Sequence, residues 1–157
     1  NWRDAPNLTP LDRAVLEDVE IVVTERLTAY SEGADQYGLI HADMRLANVI
    51  ITSEGPRLID FDDCGFGWFM YDFAAAISFI EDSPQIPTLR AAWVAGYRTV
   101  RELNAADEAE IGTMVMLRRL ALLAWIGSHI DAPEPQALAP DFARVSAALG
   151  ARWLEKL

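Results

Sequence analysis

The residues able to do chemistry concentrate in one short segment of the 157-residue chain. His41-Ala42-Asp43-Met44-Arg45-Leu46-Ala47-Asn48 fits the pattern H-x-D-x-x-x-x-N, and Asp60 of Ile59-Asp60-Phe61 lies twelve residues beyond Asn48. A carboxylate and an amide five residues apart in a loop can face one pocket. In phosphoryl transfer to a hydroxyl, a carboxylate accepts or orients the acceptor's proton, and a nearby amide oxygen helps hold the metal on the nucleotide phosphates. Asp43 and Asn48 suit those two tasks. Val49-Ile50-Ile51-Thr52 is β-branched throughout, Ser53-Glu54-Gly55-Pro56 reads as a turn, and Arg57 to Phe61 reads as a second strand. Residues 49–61 are therefore expected to form a hairpin that returns Asp60 to the side of Asn48. An Asp and an Asn meeting there make a hard oxygen site, which suits Mg²⁺ with its waters and phosphates. The bland alternative makes Asp43 and Asn48 turn residues and Asp60 a cap. The eight-residue pattern alone arises by chance in roughly one chain in a hundred of this length; the hairpin and the Ile-Asp-Phe make the combination specific.

The elements around this segment read as helices. Thr9-Pro10 supplies a cap and a first-turn proline, and Leu11, Val15, Val19, Val22, Leu27 and Tyr30 follow at helical spacing to about Ser31. Residues 1–10 read as a linker or loop. Leu39 to His41 is a short apolar lead into the motif, and Asp62 to Met70 a Gly- and aromatic-rich loop. Helices are expected from Tyr71 to Ile80, from Thr88 to about Leu103, and from a capping box at Asp107 and Glu110 to about His129. Pro133 and Pro135 read as a loop, and Asp141 as the cap of a last helix. The expected fold is mainly α with one small β-hairpin (α+β), in a single domain over residues 1–157.

Composition bounds the function. With 52% apolar residues the chain can bury a core. Its net charge of −11 disfavours nucleic acid and anionic membranes as partners and suits a cationic or polar one. The single cysteine, Cys64, rules out an internal disulfide and fits a cytoplasmic setting. The uncharged apolar stretch from Leu120 to Ile130 is too short to span a bilayer.

His41 to Asn48, Ile59-Asp60-Phe61 and Tyr71-Asp72-Phe73-Ala74 resemble the recurring motifs of the aminoglycoside phosphotransferase and choline kinase group, whose fold is related to that of protein kinases. The resemblance implies the C-terminal lobe of a protein-kinase-like fold and a kinase that uses ATP and Mg²⁺. It makes Asp43 the catalytic base and Asn48 and Asp60 the metal and nucleotide-phosphate ligands. His41 would brace the loop, and Asp72 would accept hydrogen bonds from catalytic-loop amides, or serve as a simple helix cap. Two departures bear on the reading. Only eleven residues separate Asp60 from the next acid of the pattern, Asp72, which leaves no room for a regulated activation segment and favours a small-molecule kinase. There is no G-x-G-x-x-G and no strand lysine, the only lysine being Lys156. The chain is thus expected to lack the N-terminal nucleotide-covering lobe, to need that lobe of the same enzyme as partner, and to be inactive or weak alone.

Other residues keep two readings. Asp62 and Asp63 are either a further metal ligand and a lure for a cationic acceptor, or solvated loop acids. Arg45 either meets the γ-phosphate or an anionic acceptor, or pairs with Asp62 or Asp63. Phe66, Trp68, Phe69 and Tyr71 either cage an ammonium group or plug the loop onto the core. The expected function is transfer of a γ-phosphate to a hydroxyl of an aminoglycoside, an amino alcohol or a homoserine-like amino acid. An inactive kinase-like scaffold and a protein Ser/Thr kinase of the same group are the alternatives.

Overall fold

The computed structural model describes all 157 residues, Asn1–Leu157. The chain divides into two compact units, Asn1–Ala29 with Met116–Leu157, and Tyr30–Val115. In chain order the elements are α1 (Pro10–Ala29), β1 (Tyr37–Ile40), β2 (Val49–Thr52), β3 (Gly55–Leu58), β4 (Gly65–Trp68), α2 (Tyr71–Ala76), α3 (Ile86–Arg98), α4 (Ala105–Ala109), α5 (Ile111–Ser128) and α6 (Pro133–Leu154). The fold is mainly helical with small antiparallel sheets, as expected.

In the first unit α1 starts at a reciprocal cap. Asp12 N–H donates to Thr9 Oγ1 (3.1 Å), and the Asp12 carboxylate accepts from Thr9 N–H (3.2 Å). Leu16, Val19 and Val23 are buried on one face, and α1 packs on α6. A Cβ on Gly150 of α6 would stand 2.6 Å from Val19 Cγ2, so only glycine permits this approach. The first residues are no linker: Trp2 is buried, and its indole N–H and the Arg3 guanidinium both donate to Glu20 of α1. The last helix begins at Pro133 rather than at Asp141. Pro133 and Pro135 sit in the first turn, where helix N–H groups lack partners anyway. Pro140 is tolerated inside the helix, where Ala139, Phe142, Ala143, Ser146 and Ala147 bury one continuous face. Arg119 of α5 is fully buried; its Nε donates to Ser146 Oγ (3.0 Å) and its guanidinium lies 3.7 Å from the Phe142 ring centroid. By length and hydropathy Ala105–Ser128 is apolar enough to cross a membrane, and half of its most apolar window is buried inside the protein.

The second unit holds two ribbons instead of the single expected hairpin. β2 and β3 pair from Val49↔Leu58 to Thr52↔Gly55, which is the expected hairpin with a shorter second strand. Gly65–Trp68, expected to be loop, is strand β4, antiparallel to β1 from Tyr37↔Trp68 to Ile40↔Gly65. Gly38 in β1 leaves room for the Phe69 ring, which a Cβ would meet at 2.7 Å. Helix α3 starts at Ile86 and ends at Arg98, short of the expected Leu103; the Arg98 guanidinium then holds the Leu103 carbonyl (3.0 Å). The cap of α4 is Asn104, which accepts from Asp107 N–H (2.8 Å), rather than Asp107 itself.

Candidate functional site

Strand β1 ends at Ile40, and the motif loop begins at the next residue. The loop folds on itself through short backbone bonds: Arg45 N–H donates to Asp43 O, and Asn48 N–H to Arg45 O, both at 2.8 Å. The second bond closes the one-turn 3₁₀ segment Leu46–Asn48. Asn48 is buried, and its amide nitrogen donates to the Asp43 carbonyl (2.9 Å) and to Asp43 Oδ2 (3.1 Å). The five-residue spacing thus brings amide and carboxylate into direct contact. With the nitrogen directed at Asp43, the Asn48 amide oxygen accepts no hydrogen bond from the protein.

The hairpin returns beside this loop. Ile59 N–H donates to the Asn48 carbonyl (3.0 Å), one residue before Asp60. His41, buried, bridges the same two segments: its Nε2 meets the Ile59 carbonyl (3.0 Å) and its Nδ1 accepts from Asp43 N–H (3.4 Å). Those partners require the Nε2–H tautomer, since a carbonyl only accepts and an amide N–H only donates. The Phe61 ring covers the imidazole, centroids 4.7 Å apart. Beneath the loop, Asp72 in the first turn of α2 accepts from His41 N–H (3.0 Å) and Ala42 N–H (2.8 Å), one oxygen to each. It is therefore more than a cap for its own helix.

Two residues hold left-handed backbone here, Ala42 (φ 64°) and Asp60 (φ 65°). For alanine that conformation costs about 1 kcal/mol. Its persistence shows that the contacts around it over-determine the loop.

Asp60 is exposed and takes no hydrogen bond or ion pair, and the same holds for Asp62 and Asp63. No group of three or more His, Cys, Asp or Glu converges anywhere in the structure. The oxygens without protein partners are the Asn48 amide oxygen, beside Asp43, and the carboxylate of Asp60, the residue after Ile59, whose N–H meets the Asn48 carbonyl. That set fits a hard cation that keeps most of its shell as water and phosphate oxygens, and does not fit a fully protein-ligated ion.

Arg45 departs from the expected pairing with Asp62 or Asp63. Its Nε lies 3.2 Å from Asp43 Oδ2, with the two side chains 27% and 13% exposed. A two-residue reach across the turn brings it onto Asp43, while Asp62 and Asp63 occupy an exposed turn closed by Cys64 N–H on Phe61 O. The aromatic residues of the second ribbon brace it. Trp68 packs edge-on against Tyr37 (5.7 Å) and donates to Ser31 O, and Arg101 lies over Phe69 (4.6 Å), while Phe66 is exposed. A feature the sequence reading missed is a cleft of about 530 Å³ next to the loop, lined among others by Ile40, Met44, Phe69, Trp93 and Tyr97. Trp93 and Tyr97 are half-buried and stacked at 5.1 Å. Their spacing of four on a helix was the available signal that they share a face.

Residues 1–111 match the model of the phosphotransferase enzyme family (APH). Among solved structures, a microcompartment-associated aminopropanol kinase is 46% identical with a TM-score of 0.91, over 99% of this chain and 49% of its own. Homoserine kinase of Neisseria meningitidis serogroup B is 33% identical over 64% of this chain and 33% of its own length. Homoserine kinase of Gluconobacter oxydans is 30% identical over 82% of this chain and 42% of its own. The chain thus spans between a third and a half of the length of these relatives.

Proposed function

Because the chain belongs to the phosphotransferase enzyme family, we propose that its full-length protein transfers the γ-phosphate of ATP to the hydroxyl of a small amino alcohol or hydroxy amino acid. The observation that carries this reading is the Asn48 bridge. One amide nitrogen holds both the backbone and the carboxylate of Asp43, while the Asn48 carbonyl takes the N–H beside Asp60. Asp43 orients the acceptor hydroxyl and takes its proton; the Asn48 amide oxygen and the Asp60 carboxylate would hold Mg²⁺, with Asp62 as a candidate further ligand. When bound, the metal neutralises charge on the transferring phosphate. The protein's part is to keep the carboxylate and the cation ligands in register, and His41 and Asp72 do this by fixing the loop from both sides.

The acceptor class draws support from the relatives, since aminopropanol and homoserine each carry a hydroxyl near an amine. The net charge of −11 suits such an ammonium-bearing substrate. The exposed Ile50, Ile51, Leu58 and Phe61 around the hairpin would meet a nucleotide-covering lobe of the same protein, which would bring the phosphate-binding lysine that the 157 residues lack. Use of ATP and the exposed free Cys64 accord with a cytoplasmic enzyme.

The test is a phosphorylation assay of the full-length protein with Mg·ATP and a panel of 1-amino-2-propanol, ethanolamine, homoserine and hydroxylysine, with an aminoglycoside and a Ser/Thr peptide as contrasts. Turnover of at least one small amino alcohol or hydroxy amino acid above both contrasts is expected. Turnover of the peptide alone, or of nothing, overturns the reading.

A further inference from the structure

We infer that Phe79 and Arg45 form a positioning pair that sets the orientation of the Asp43 carboxylate. The inference rests on the reading of Asp43 given above and names two residues that act through it.

Asp43 Oδ2 accepts from Asn48 Nδ2 (3.1 Å) and from Arg45 Nε (3.2 Å). Two donors on one oxygen restrain rotation of the carboxylate about its Cβ–Cγ bond, and a base that must meet a hydroxyl proton needs that restraint. The two donors are held differently. Asn48 is short, buried and tied into the 3₁₀ turn. Arg45 ends a long flexible arm, so its aim depends on what flanks the guanidinium. The ring of Phe79 is one group that does so, with the guanidinium carbon 5.7 Å from the ring centroid, within cation–π range.

Phe79 is placed there under strain. Its φ of 73° is left-handed, a conformation that a bulky side chain adopts only when its surroundings impose it. It lies in the turn that follows α2, the helix whose first turn carries Asp72. The α2 segment therefore supports the motif loop at both ends: Asp72 fixes the backbone of His41 and Ala42, and Phe79 fixes the side chain of Arg45. Ala42, Asp60 and Phe79 are three of the four left-handed non-glycine residues in the chain, and all three lie in or against this loop.

The test compares Phe79→Gly, Phe79→Tyr, Arg45→Gln and the Phe79→Gly/Arg45→Gln double variant in the full-length protein. Glycine accepts the left-handed backbone, so Phe79→Gly removes the ring without adding strain, and a cooperative thermal transition is expected to persist. Its kcat for the amino-alcohol acceptor is expected to fall by roughly 10-fold or more, with KM unchanged, as misplacement of a catalytic group predicts. Phe79→Tyr restores the ring and recovers most of the loss. The double variant is no slower than Arg45→Gln alone. Normal kcat in Phe79→Gly, or losses that multiply in the double variant, overturn the pairing. A second readout needs no catalysis: ¹⁵N-arginine NMR is expected to show a dispersed, slowly exchanging Arg45 Nε–H that collapses toward the exposed arginines in Phe79→Gly. If that signal ignores Phe79, the pairing falls whatever the kinetics. If it responds to Phe79 while the unsubstituted protein phosphorylates none of the acceptors, the pairing stands and the proposed function falls.

Discussion

Replacing Asp72 by Asn tests how the motif loop is held. The Asp72 carboxylate spends one oxygen on His41 N–H (3.0 Å) and the other on Ala42 N–H (2.8 Å). Asparagine keeps one acceptor and turns an NH₂ group toward the second backbone N–H. One charge-assisted bond disappears, the other loses its charge, and a part-buried donor loses its partner. Hydrogen bonds to charged groups contribute about 1.5–3 kcal/mol each, and an unsatisfied donor costs about 1–3 kcal/mol. A local loss of about 3 kcal/mol follows, or roughly 10²-fold in the equilibrium for opening the loop. Ala42 magnifies the effect, because its left-handed backbone costs about 1 kcal/mol that the Asp72 contact offsets. Hydrogen exchange read at the His41 and Ala42 amides measures the opening directly. Asp72→Asn is expected to raise exchange there by roughly 10²-fold while leaving the amides of α1 and α6 unchanged. Adding Ala42→Gly, which relieves the left-handed strain, should return about 1 kcal/mol, several-fold in exchange rate. Unchanged protection in Asp72→Asn would refute the claim that this carboxylate holds the loop.

Other outcomes follow from the same structure. Asn48→Asp sets a second carboxylate against Asp43 Oδ2 and removes both donor contacts, so kcat should fall by about 10²-fold or more in the amino-alcohol assay. Gly150→Ala places a Cβ 2.6 Å from Val19 Cγ2; overpacking of this kind costs about 1–3 kcal/mol, read as a drop in Tm by thermal denaturation. Hydrogen bonding from Arg3 holds the Glu20 carboxyl below its ordinary value of 4.5. A depressed carboxyl stabilises the fold above its unfolded value, and that contribution is lost as pH falls through the lower folded value. Arg3→Gln should therefore lower Tm near neutrality and flatten its decline below about pH 4.5, measured as Tm against pH.

What could be read beforehand was local, and what could not was mostly long-range or contextual. The H-x-D-x-x-x-x-N spacing foretold the contact of Asp43 with Asn48, and the β-branched run before the Gly55-Pro56 turn foretold the hairpin that returns Ile59 to the Asn48 carbonyl, because short-range bonds determine that loop and hairpin. Strand β4 was missed because Gly65-Phe66-Gly67-Trp68 has weak strand preference of its own; it is a strand because β1, nearly thirty residues earlier, pairs with it. The start of α6 was missed because Pro133 and Pro135 read as breakers, although first-turn prolines cost a helix no hydrogen bond. The pairing of Arg45 with Asp43 rather than Asp62 or Asp63 was not legible, because chain spacing does not show which carboxylate a flexible arm meets. The contacts of Asp72 were expected only through the motif resemblance, since nothing local reveals a bond across thirty residues.

The central claim is that Asp43 orients the acceptor while Asn48 and Asp60 hold the metal that carries the nucleotide. Kinetics of Asp43→Asn in the full-length protein, with Mg·ATP and the amino-alcohol acceptor, test it most directly. The account predicts a kcat lower by roughly 10²–10⁴-fold, the range for a lost general base, with the affinity for Mg·ATP retained. Turnover within a few-fold of the unsubstituted protein would contradict it.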